Sequence, residues 1–164
     1  MSMIDELLQK NQRWTESFDK GDLPMPPSKH LAIVTCMDAR IMPNHMLGVE
    51  EGDVHVIRNA GGRVRDALRS LTISEQLLGT DEIAVIHHTD CGMLTFSNQD
   101  LHKKLKDNLQ VDADNLDFQP FSDLEQSVRD DVDYLRNSPL IPNDVTVRGF
   151  IYDVHNGKID EVMN

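Results

Sequence analysis

The chain has 164 residues, the length of one domain, and its 39% hydrophobic content suits a soluble globular protein with an ordinary core. A formal net charge of −12 excludes a nucleic-acid binder, which needs a basic face against phosphate, and disfavours anionic membrane surfaces. No apolar run approaches the roughly 18 residues of a membrane span.

In chain order, Met1 to Lys10 alternates acidic and apolar residues, without the basic start and apolar core of a signal peptide, so the expected location is the cytoplasm. Ile4, Leu7, Leu8 and Trp14 recur at helical spacing behind Asp5 and Glu6, which predicts a helix over Ile4 to Phe18. Gly21 and Pro24-Met25-Pro26-Pro27 then break the pattern into an extended arm. Residues 1–28 thus read as a helix and Pro-rich arm on a single domain spanning 1–164, with the helix lying either on its own domain or on a partner subunit. His30 to Thr35 reads as a strand ending at Cys36, and its run Leu31-Ala32-Ile33-Val34 suits a parallel strand covered on both faces. A short helix over Ile41 to Leu47 tolerates Pro43 in its first turn. After a turn at Gly48 to Asp53, Val54, Val56 and Ile57 mark a second strand that ends in Arg58-Asn59-Ala60-Gly61-Gly62. A helix over Asp66 to Leu78, stopped by Gly79, leads into a third strand over Ile83 to His88. This alternation predicts an α/β fold with a mostly parallel central sheet flanked by helices.

The second half is less regular. His102 to Gln119, rich in Lys, Asp and Asn, reads equally as helical pieces or as an acidic loop. Ser122-Asp123-Leu124-Glu125 carries the capping-box pattern and opens a helix to Arg136, which Ser138-Pro139-Leu140-Ile141-Pro142 ends. Val145 to Val154 alternates into a strand, and Asn156-Gly157 marks a hairpin turn before Lys158 to Val162.

Chemistry gathers where the first and third of these strands stop, at Cys36-Met37-Asp38-Ala39-Arg40 and His88-Thr89-Asp90-Cys91-Gly92. In open α/β sheets, ligand sites form beyond the carboxyl ends of the strands. A catalytic zinc takes three protein ligands from thiolate and imidazole and keeps one position open, and Cys36, His88 and Cys91 supply such a set. Without those neighbours, the only two cysteines would read as inert core residues or a redox pair. Strand alternation sends His87 the other way from His88, into the core or into support of the ligands. Asp38 has two candidate roles: a fourth ligand that closes the site, or a partner of Arg40 that accepts a hydrogen bond from a metal-bound water. A bidentate guanidinium suits the second. Arg58 to Gly62 lacks the full Gly-x-Gly-x-x-Gly spacing of a dinucleotide loop. It is either a plain turn or a place where backbone comes close to the metal pocket.

Together with Arg58-Asn59-Ala60-Gly61 and Arg148-Gly149-Phe150-Ile151-Tyr152-Asp153, these motifs resemble the β-class carbonic anhydrases over about Lys29 to Val162. The chain is most similar to the short members with His-Thr-Asp-Cys at the second motif. The resemblance implies one Zn²⁺ per chain on Cys36, His88 and Cys91, with Asp38 a fourth ligand only in a closed state. It implies that Asp38 and Arg40 act as the catalytic dyad in hydration of CO₂ to bicarbonate by zinc-bound hydroxide. It further implies a parallel-centred sheet, a homodimer or homotetramer, and an N-terminal helix lying on the neighbouring subunit. His87 stands where many members have Gly, and no substrate-orienting polar residue of the plant-like members carries over. Because members of this fold also hydrolyse carbonyl sulfide or carbon disulfide, that reaction is the alternative at the same zinc site. A non-catalytic zinc-stabilised binding protein is the third reading, and it leaves the Asp38–Arg40 pair without a use.

Overall fold

The computed structural model describes residues 2–163. Five strands form one sheet: β1 (Leu31–Cys36), β2 (Val54–Asn59), β3 (Glu82–His88), β4 (Thr146–Tyr152) and β5 (Ile159–Val162). Their spatial order is β2-β1-β3-β4-β5, parallel except for β5, which runs antiparallel to β4. In chain order β1 is followed by β2 on one side, while β3 lies on its other side. The order therefore reverses at β1, and a crevice opens at the carboxyl end of that strand. Register levels the three strand ends, since Thr35 lies opposite both Arg58 and Ile86.

The described residues form five α-helices, α1 (Met3–Thr15) ahead of the sheet and, between its strands, α2 (Pro43–Leu47), α3 (Val64–Leu78), α4 (Asn98–Leu109) and α5 (Leu124–Arg136). Helices α3 and α5 turn Val64, Ala67 and Leu71, and Val128, Val132 and Leu135, onto one sheet face. There they meet Ala32, Val34, Ile83 and Val85, which alternation places on that face. Gly149 seats α5 on β4, because a Cβ there would run into Val128 and into Val132 at 2.9 Å. Along the opposite face runs an apolar groove of ≈ 250 Å³ between Leu31, Ile33, Ala84, Ile86, Phe150 and Ile159.

Helix α1 is different. Its first turn is closed by a Ser2–Asp5 capping box, yet none of its residues is buried. Ile4, Leu7, Leu8 and Trp14 are exposed, and the Trp14 ring meets that of Phe18 in a tilted contact. The helix stops at Thr15 rather than Phe18 because bonds from Glu16 to Arg13 and from Ser17 to Trp14 tighten its last turn. Helix α4 resolves the ambiguous middle of the chain. It starts at a Ser97–Asp100 capping box and has no fully buried residue, with Leu101, His102 and Leu105 half-buried along one side. The α5 start is corrected by one residue: Asp123, not Ser122, is the N-cap, and its side chain accepts from the Gln126 N–H. Among the described residues, no helix is long and apolar enough to cross a membrane.

Candidate metal centre

Parallel neighbours β1 and β3 deliver Cys36 and His88 to the same end of the sheet, and the turn after β3 returns Cys91 beside them. The three are 5%, 0% and 2% exposed, and their ligand atoms all lie within 4.8 Å of one another. His88 Nδ1 lies 2.8 Å from the Thr89 carbonyl, which can only accept, so Nδ1 carries the proton and Nε2 keeps its lone pair. That Nε2 is buried and meets no hydrogen-bond partner. A buried, unpartnered imidazole nitrogen facing two sulfurs fits a soft divalent cation, which replaces the missing partner.

Electrostatics agree with such a site. A hydrogen bond from Cys91, ahead of contacts from His88 and the Asp38 and Gly61 backbone, draws Cys36 down to about 4. The same hydrogen bond between the two thiols, reinforced by burial, pushes Cys91 up. Burial is the largest influence on His88 and lowers it, but the nearby Cys36 sulfur and smaller attractions outweigh it and the net shift is upward. Thiols that favour one shared anion suit a cation, which binds thiolate rather than thiol.

The turn at 60–62 is shaped around this sulfur. Gly61, at φ 81°, donates its N–H to Cys36 Sγ at 3.3 Å. Gly62, at φ 67°, lies so close to β1 that a Cβ would sit 2.9 Å from the Thr35 carbonyl carbon. Both positions need glycine, the first for its dihedral and the second for its closeness as well. Arg58 then fixes the opposite wall, giving its Nε to the Cys36 carbonyl at 2.9 Å and Nη2 to the Asp38 carbonyl at 2.7 Å.

Asp38 and Arg40 form a bidentate pair, Nε to Oδ1 at 3.0 Å and Nη2 to Oδ2 at 2.8 Å. The Arg40 side chain, ahead of its backbone N–H, holds the Asp38 carboxyl well below the usual carboxylate range. Asp38 Oδ2 stands 3.9 Å from His88 Nε2, at the edge of the ligand set. Arg40 is also gripped from the second motif, giving Nη1 to the Asp90 carboxylate at 2.7 Å and Nη2 to the Asp90 carbonyl at 2.9 Å. Asp90 reaches it from a left-handed turn, φ 53°. Asp90 is a functional contact that sequence reasoning passed over, although it stood inside a quoted motif. The surrounding pocket, ≈ 400 Å³, is walled by Ala60, Gly61, Cys91, Met93 and Phe96. His87 does point away from His88, onto Ser127 and Asp131 of α5.

Comparison with known proteins finds carbonic anhydrases and, at lower identity, a carbon disulfide hydrolase. The family model described as carbonic anhydrase matches residues 31–159. Beta-carbonic anhydrase 1 of Mycobacterium tuberculosis is 45% identical over 163 residues, covering 99% of this chain and 99% of its own. The carbonic anhydrase structure from Streptococcus mutans has 51% identity and a TM-score of 0.95, covering 99% of both chains. A carbon disulfide hydrolase of Acidithiobacillus thiooxidans is 34% identical over 183 residues, covering 97% of this chain and 90% of that one.

Proposed function

The chain belongs to the β-class carbonic anhydrase family and is a carbonic anhydrase enzyme, and on that premise we propose that Cys36, His88 and Cys91 hold one zinc ion beside an Asp38–Arg40 dyad. The observation that carries this assignment is the unpartnered, fully buried His88 Nε2 facing the two sulfurs. Zinc bound there supplies Lewis acidity that readies a water for attack on CO₂ at neutral pH. The protein's own groups do the rest. Asp38, kept ionised by Arg40, accepts the hydrogen bond that orients the attacking water. Apolar Met93 and Phe96 leave a small neutral gas its hydrophobic share of the pocket. Because Asp38 Oδ2 lies at the edge of the ligand set, release from Arg40 would let it take the fourth position and close the site.

Two parts of this reading lie beyond the ligand set. The exposed apolar face of α1 and the open apolar groove on the sheet support a homodimer or homotetramer in which α1 lies on a neighbouring copy. Similarity to a carbon disulfide hydrolase supports hydrolysis of carbonyl sulfide or carbon disulfide as the second activity. One preparation tests all of it: metal per chain, mass in solution, CO₂ hydration and H₂S release from carbonyl sulfide, each compared with Cys91→Ser. We expect one zinc, an oligomer, and CO₂ turnover lost with the metal in the variant. Full CO₂ turnover in a zinc-free Cys91→Ser protein would end the assignment, and H₂S release faster than CO₂ hydration would reverse the two activities.

A further inference from the structure

One buried carboxylate takes no part in the chemistry above. Asp131 of α5 is 1% exposed, and both its oxygens are engaged. Oδ1 accepts from Arg63 Nη2 at 2.7 Å, while Oδ2 accepts from the Val64 N–H at 3.2 Å and from His87 Nε2 at 3.2 Å. Replacing a buried ion pair by apolar side chains is often neutral or stabilising, so stability alone does not account for such a cluster. Its placement does.

Two routes lead from Asp131 to the metal centre. Val64 is the first residue of α3, and the N-cap Arg63 offers no side-chain cap of its own. Asp131 supplies the missing acceptor from another helix, fixing where α3 begins. Directly before that start lies the turn that aims the Gly61 N–H at Cys36 Sγ. The second route runs through Phe121. Its ring stacks on His87 at 5.5 Å between centroids, and the Arg63 guanidinium sits 5.3 Å from it. Phe121 packs in turn against the cluster of Cys36, Cys91 and Met93. Both side chains that hold Phe121 are held by Asp131.

We propose that Asp131 is a positioning residue for the metal centre, setting where the Gly61 N–H meets the Cys36 sulfur and where Phe121 stands behind Met93. The proposal rests on the reading of Cys36 as a metal ligand. An N–H donated to a ligating thiolate withdraws charge from sulfur and so tunes what the metal receives. Losing an outer partner of this kind costs about 10–100-fold in metal affinity or activity.

The test compares Co²⁺-loaded wild type, Asp131→Asn, and the double variant Arg63→Met/Asp131→Leu, which leaves no buried charge unpaired. Expected in both variants is a sulfur-to-cobalt absorption band moved to lower energy and loss of Co²⁺ to a chelator about 10–100-fold faster. A purely structural role would change the unfolding temperature and leave the band in place. The proposal is overturned if the double variant folds cooperatively with wild-type band position and stripping rate. Should Asp131→Asn not fold, the double variant decides alone. Absence of any such band in the wild type would instead overturn the metal reading beneath the proposal.

Discussion

Two arginine–aspartate pairs, Asp38–Arg40 just after β1 and Arg63–Asp131 just after the turn at 60–62, behave as opposites. Arg40 meets Asp38 at 2.8 Å and Arg63 meets Asp131 at 2.7 Å, so the contacts themselves are nearly alike. The side chains of the first pair are 46% and 18% exposed, those of the second 11% and 2%. Water can take Asp38's place on Arg40 at small cost, since exposed pairs are worth about 0–1 kcal/mol. Nothing can take Asp131's place on Arg63 without leaving a charge in the interior. Burial, rather than the identity of the groups, makes one pair a latch and the other an anchor.

The sharpest way to break the contrast is to truncate the anchor. Asp131→Ala should lower unfolding free energy by about 3–5 kcal/mol in a denaturant titration, because an uncompensated guanidinium remains buried. A loss below about 1 kcal/mol would show that water reaches Arg63 and that the two pairs are alike. Next in size is the latch. Asp38→Asn should leave stability within about 1 kcal/mol of wild type. It should retain its zinc yet lose activity by about 100-fold, as expected when an oriented proton acceptor is removed. Wild-type kcat/KM in that variant would take Asp38 out of the mechanism.

Glu75 on α3 supplies the case of a carboxylate with no cation at all. Both its oxygens are buried without a partner, and burial pushes its carboxyl up to about 7 from an ordinary 4.5. A folded-state value above the unfolded one gives stability that is fully present below about 4.5 and lost as pH rises through about 7. Glu75→Gln should therefore raise Tm at pH 8 by roughly 2–4 °C and change it little at pH 4. Equal shifts at both pH values would mean that Glu75 does not titrate in this window.

Much of the fold was legible because it follows from local pattern. Apolar runs Leu31 to Val34 and Ile83 to Ile86 specify buried strands, and Gly79 marks a helix end that the structure places at φ 74°. The candidate ligands were legible for the same reason, standing just past those runs. What stayed hidden depends on packing between distant segments. Asp131 is 68 residues from Arg63 and 44 from His87, and in sequence it looks like one more acid on a helix with Asp130 and Asp133. Helix α4 was hidden because its apolar positions, Leu101, Leu105 and Leu109, are thinly spread among Lys, Asp and Asn, and the contacts of Asn98 and His102 with residues 116–118 show only in the folded chain. At α5, Ser122 and Asp123 are both good caps, and only the observed bond to Gln126 decides between them.

Arg40, set between Asp38 and Asp90, carries a consequence for traffic through the pocket. Asp38 and Asp90 are balanced there by Arg40 and Arg58, so the field at the pocket mouth is that of the whole chain, whose formal charge is −12. Dissolved CO₂ has no charge and crosses that field without hindrance. Bicarbonate is an anion and is driven outward by it, over a distance that salt shortens to about 8 Å at physiological strength. The excess of acid over the whole chain thus biases departure, easing product away and making the reverse substrate approach against like charge.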